Sequence, residues 1–127
     1  MARLLWISLG GAAGTAARYL LGGWVMQRSG SVFPFGTLSV NVIGSFLLGA
    51  IMEASLLTSL PPPTLRLALT TGFMGGFTTY STFNYETLRF FQDGAILYGL
   101  ADILVTVFVC LAAGALGLFA ARWAFGA

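Results

Sequence analysis

Apolar residues gather into four long stretches, roughly Leu4–Met26, Phe35–Leu57, Leu65–Phe91 and Ala95–Phe125, and polar residues collect between them. A helix needs about 20 predominantly apolar residues to cross a bilayer, so each stretch predicts a transmembrane helix. The gaps carry turn chemistry. Gln27-Arg28-Ser29-Gly30-Ser31 separates the first pair, and Pro34 suits the start of the second helix. Pro61-Pro62-Pro63 cannot continue a helix, and Gln92-Asp93-Gly94 closes the third gap. Connections this short predict antiparallel sequential neighbours in one four-helix transmembrane domain over residues 1–127, with both termini on one side. The first run is too long for the apolar part of a cleavable signal and lacks a distinct cleavage site, so it reads as the first span.

Composition points the same way. Hydrophobic residues make up 57% of the chain and charged residues only 8%, against roughly 25% charged in an ordinary soluble domain. Ten charges cannot dress the surface of a soluble fold this size, so lipid is the expected solvent. The charged set is six arginines and four carboxylates, without lysine or histidine. A dispersed net charge of +2 excludes nucleic acid as a partner. With no histidine and a single Cys110, zinc sites and histidine-based triads fail on ligand count. No nucleophile–base pair survives, which argues against an enzyme. Cys110 lies in an apolar run and reads as a small buried residue.

Orientation follows the excess of Lys and Arg in cytoplasmic loops. Arg3, Arg66 and Arg122 fall on the side of the termini; Arg28 and Arg89 fall on the other, with Arg18 inside its span nearer that end. A three-against-three count gives no instruction, so the chain either inserts both ways, permitting an antiparallel dimer, or obeys one dominant arginine. Small residues mark where helices touch: Gly10 and Gly14, Ser45 and Gly49, Ala113 and Gly117. Four such helices enclose little space, and a permeation site calls for a second subunit.

The third stretch is the anomaly. It runs Thr70-Thr71-Gly72-Phe73-Met74-Gly75-Gly76-Phe77-Thr78-Thr79-Tyr80-Ser81-Thr82-Phe83-Asn84-Tyr85-Glu86. Glycine costs about 1 kcal/mol in a helix interior and β-branched threonine is a weak helix former, so a break is expected near Gly75–Thr79. Freed peptide groups are tolerable at membrane depth only under protein or beside a water-filled site, and broken helices are where transporters coordinate ions. A tight helix crossing is the competing reading. Asn41, six residues beyond Phe35, offers amide donors to a dehydrated anion or glues two helices; its position leaves these even. Asp102, Thr106, Cys110 and Gly114 form a stripe at intervals of four, either a polar path or a packing seam with one interfacial acid. The second suits Asp102 better. Glu86 and Arg89 are spaced to pair on one face, Glu53 reads as an anchor near a helix end, and Arg18 either draws an anion inward or anchors its helix.

The run from Gly75 to Phe83 followed by Glu86 resembles the signature of the Fluc (CrcB) fluoride channels, as do Gly36-Thr37-Leu38 with Val40-Asn41, and Gly10-Gly11 leading to Arg18-Tyr19. The resemblance covers nearly the whole chain. It implies an all-α integral membrane protein, four helices with the third broken, assembled as an antiparallel dual-topology homodimer. It implies passive, fluoride-selective export across the bacterial inner membrane and resistance to fluoride. It further implies a sodium ion at the dimer centre, held by main-chain carbonyls that map to Gly75 and Thr78. The aromatic pair beside the pores maps to Tyr80 and Phe83, the polar track to Asn41, Ser81, Thr82 and Thr106, a pore mouth to Glu86 and an aqueous entrance to Arg18. Two positions depart from the family's usual pattern: Tyr80, where phenylalanine is typical, and Asp102, where a neutral polar residue is usual. A small multidrug-type dual-topology transporter would share the four spans, but it needs a carboxylate that the first span lacks. A purely structural subunit leaves the polar third stretch unexplained.

Overall fold

The computed structural model describes residues 1–126. Helix α1 spans Ala2–Ser29, α2 Phe35–Leu57 and α3 Pro63–Leu67; a π-helical segment, Ala68–Met74, leads into α4, Gly75–Phe77; α5 spans Tyr80–Gln92 and α6 Ile96–Phe125. The third apolar stretch thus comprises α3, the π segment, α4 and α5. Helix α1 outruns its apolar run at both ends because polar termini do not stop a helix. Gly30 stops it, turning left-handed at φ 57° and donating its N–H to the Met26 carbonyl at 3.1 Å. Pro34 caps the start of α2, and Pro63 opens α3 in the first turn, where a missing N–H costs nothing.

By length and composition, α2 and α6 are apolar enough to cross a membrane. Helix α1 carries Arg3, Arg18 and Arg28, and the third stretch is divided. Large apolar side chains face outward along the molecule, among them Leu20, Leu97 and Trp123. Apolar surface on that scale needs lipid or a partner to cover it.

The closest packing joins alternate helices rather than sequential ones. Gly14 of α1 lies so near the Phe73 carbonyl that a Cβ would collide with it, and Gly76 stands in the same relation to Gly11. Gly49 abuts Gly114, and Gly117 abuts Phe46 and Ala50, so α2 and α6 run parallel along the small residues the sequence marks. Val40, Met74 and Phe77 form the buried core where α2 meets the third stretch, with Ala17, Leu21 and Leu47 packed around them.

Two charge assignments are corrected. Glu53 is not an exposed anchor: it is buried, and Arg122 Nε donates to its Oε1 at 2.6 Å. A carboxylate taken out of water needs such a partner. Arg89 does not pair with Glu86; it reaches Asp93 at 3.7 Å on an exposed surface, while Glu86 turns to Thr37 of α2.

Candidate functional site

Between α4 and α5 the chain leaves the helix for two residues. Thr78 is extended at φ −89°, ψ 159°, and Thr79 at φ −150°, ψ 118°. The glycines are not where it opens, since Gly75 keeps helical angles of −61° and −37°. Thr79 caps α5 by accepting the Thr82 N–H on its hydroxyl at 3.2 Å.

The freed peptide groups are reassigned one by one. In a continuous helix the Thr79 N–H would reach the Gly75 carbonyl; it donates instead to Asn41 Oδ1 at 2.8 Å. Asn41 Nδ2 returns a bond to the Thr79 carbonyl at 3.1 Å. The Thr82 N–H, spent on the cap, no longer serves the Thr78 carbonyl. Arg18 Nε donates to the Gly76 carbonyl at 2.9 Å. Arg18, half-buried, thus braces the break with one N–H, and its guanidinium lies beside an open concavity of about 320 Å3.

The sequence-derived site residues fall on different sides of this break. Asn41, Tyr80, Phe83 and Thr106 line an open cavity of about 540 Å3, together with Gly75, Thr78 and Thr79. Tyr80 and Phe83 meet edge to face, centroids 5.8 Å apart and planes at 70°. Arg18 and Thr82 line the second concavity, with Thr15 and Thr37, and Thr79 is common to both. Glu86 borders a third recess, about 200 Å3, where Arg89 and Asp93 also lie; its Oε1 accepts from Thr37 Oγ1 at 2.6 Å. Ser81 is exposed, 3.5 Å from the Thr79 hydroxyl.

Two features were not assigned from the sequence. Thr37 holds Glu86, a contact across 49 positions that no local signal carries. Thr79 is the organising cap, and its place just before a helix of polar first turn was the readable sign. Asp102 lies in the seam between α5 and α6, 1% exposed, and accepts from the hydroxyls of Thr87 at 2.8 Å and Thr106 at 3.3 Å. Cys110 is half-buried on the large cavity's wall, not in a core.

Residues 5–118 match the family described as CrcB-like protein, Camphor Resistance (CrcB). A protein of Sorangium cellulosum is 61% identical over 122 residues, 96% of each chain. One of Anaeromyxobacter dehalogenans is 53% identical over 126 residues, 99% of this chain and 100% of its own, and one of Geobacter metallireducens is 52% identical over 122 residues, 96% and 98%. All three are described as fluoride-specific ion channel FluC. With the match running through every helix and across the break that the freed peptide groups surround, the chain belongs to the CrcB family.

Proposed function

We propose that this protein conducts fluoride passively out of the bacterial cell through the inner membrane and so confers fluoride resistance. The observation that carries the reading is 61% identity over 96% of both chains to a protein described as a fluoride-specific ion channel. The working unit is an antiparallel dual-topology homodimer, each protomer one domain of four spans with the third divided at Thr78–Thr79. No reaction is needed, because an inside-negative potential drives an anion outward.

The geometry supports an anion path. Fluoride is strongly hydrated, so leaving water requires close donors. The Asn41 amide has two N–H groups and Thr79 occupies one, which leaves one for an anion in the cavity that Asn41 lines. Helix α5 begins at that cavity, and a helix N-terminus attracts negative charge. The edge of Phe83 offers a weakly positive rim without a binding trap. Thr106 contributes a hydroxyl to the same wall. Ser81 and Thr82 continue the track past the break; Arg18 marks an aqueous entrance and Glu86 a mouth.

The Gly75 and Thr78 carbonyls fit a hard monovalent cation, since the amides that would serve them in a helix are committed to Asn41 and Thr79. Unwound carbonyls of this kind hold sodium in transporters. In the proposed antiparallel pair, Gly75 and Thr78 of each protomer would be the residues to hold such an ion. Sodium held there would lend positive potential to the anion paths. Fluoride efflux from proteoliposomes, with chloride as the control ion, tests the function: efflux of fluoride alone is expected, and equal efflux of both ions or of neither overturns it.

A further inference from the structure

Asp102 is the most deeply enclosed polar side chain among the described residues, and the pathway above leaves it no task. It stands on α6 one turn before Thr106. Thr106 lines the large cavity and Asp102 does not. The question is where the hydroxyl protons go. A threonine has one proton to donate and two lone pairs, and an ionised carboxylate only accepts. Thr87 has its hydroxyl 2.8 Å from Asp102 Oδ2 and 2.9 Å from the Phe83 carbonyl. That carbonyl already receives the helical Thr87 N–H, so the Thr87 proton is available to the carboxylate. Thr106 has only Asp102 Oδ1, at 3.3 Å. Its single proton points into the α5–α6 seam, and lone pairs are what it presents to the cavity.

We propose that Asp102 is a positioning residue that withholds the Thr106 hydroxyl proton from the anion path. The inference rests on the fluoride reading and narrows it: the cavity wall offers donors at Asn41 but an acceptor at Thr106, so Asp102 acts as a brake on conduction. An amide in place of the carboxylate reverses this. With its oxygen kept on the shorter Thr87 bond, its N–H donates to Thr106 Oγ1, and the Thr106 proton is released toward the cavity.

The test uses fluoride efflux from proteoliposomes holding the full chain, with the variants Thr106→Val, Asp102→Asn and the two combined. Thr106→Val alone serves as the reference against which the double variant is read, because it removes the hydroxyl whose proton is in question. Asp102→Asn is expected to raise efflux about tenfold, the scale of one net hydrogen bond, and adding Thr106→Val is expected to cancel the gain. No gain in a folded Asp102→Asn, or a gain over Thr106→Val that survives in the double variant, overturns the proposal; the second would mean that removing a charge is sufficient. A second readout needs neither flux nor the Asp102 variant. The chain has two aspartates, Asp93 and Asp102, so in protein carrying isotope-labelled aspartate and Asp93→Asn the labelled carboxylate stretching band belongs to Asp102. That band is expected to shift in Thr106→Val and in Thr87→Val, and a band unmoved by Thr106→Val refutes the proposed hydrogen bond. Absence of fluoride efflux from the parent sinks the channel reading instead, and the band still decides the role of Asp102.

Discussion

The Asn41 amide and the Thr79 peptide close a ring of two hydrogen bonds, 2.8 and 3.1 Å, each group giving one proton and taking one. That reciprocity resolves the ambiguity of an asparagine in an apolar helix: holding the break and facing the cavity are compatible, because one N–H remains. Asn41→Asp keeps the acceptor and loses the donor, setting a carboxylate oxygen against the Thr79 carbonyl. The variant is expected to lose stability by about 1–3 kcal/mol, the cost of an unsatisfied buried polar group, seen as a lower unfolding midpoint in detergent. Fluoride efflux should fall with it, and parent-like efflux would confine Asn41 to holding the helix. Tyr80 presents a different case. Its ring is 78% exposed and meets Phe83 at its edge, and its hydroxyl bonds to nothing among the described residues of the protomer. Tyr80→Phe is therefore expected to conduct at least as well as the parent. A drop beyond about threefold, near two-thirds of a kcal/mol in barrier, would assign that hydroxyl a contact with the anion.

At the scale of elements, the glycines of the third stretch serve approach rather than opening. A Cβ on Gly76 would strike the Gly11 carbonyl and come within 2.9 Å of Thr15 Oγ1, both on α1. A Cβ on Gly23, in the C-terminal third of α1, meets nothing within 4 Å. Gly76→Ala is expected to cost about 1–3 kcal/mol through overpacking and to loosen the Arg18 bond to the Gly76 carbonyl. Gly23→Ala is expected to be neutral or stabilising by up to about 1 kcal/mol in the same unfolding assay; equal effects would deny the close approach. This contrast also marks what the sequence discloses. Apolar runs and proline positions locate α2 and the end of α6 almost to the residue, because length and turn chemistry are local properties. Small residues at intervals of four locate the α2–α6 seam for the same reason. The π-helical winding of Ala68–Met74 has no such signature, since it depends on how α1 and α2 grip the segment. Glu53 and Arg122, 69 positions apart, and Thr37 with Glu86 meet only through tertiary packing, so Glu53 looks unpartnered in the sequence and Glu86 looks paired with Arg89 instead.

For the whole molecule, the protomer leaves one requirement unmet. Gly75 is exposed, its carbonyl and that of Thr78 have lost their helical donors, and the cavity they border is open on one side. Peptide oxygens at membrane depth need a partner, and the proposed second copy, inverted in the bilayer, would supply one by bringing the same carbonyls to a shared axis. The arginines permit that arrangement: three lie toward each face, and two are neutralised where they stand, Arg122 by Glu53 and Arg89 by Asp93. The loop between α1 and α2 supplies the probe. Val32 is 74% exposed, whereas the Ser31 hydroxyl accepts the Phe33 N–H and is better left in place. Val32→Cys in a Cys110→Ala background is expected to react with an impermeant thiol reagent from both sides of the membrane in similar proportions. Gln27→Lys with Ser29→Lys, both at exposed positions, adds positive charge at one end and is expected to bias insertion. The biased chain alone should then lose most fluoride efflux, and co-expression with a chain biased the opposite way should restore it. Labelling from one side only, or full efflux from the biased chain by itself, would rule out the antiparallel pair and leave the Gly75 and Thr78 carbonyls to be satisfied within a parallel assembly.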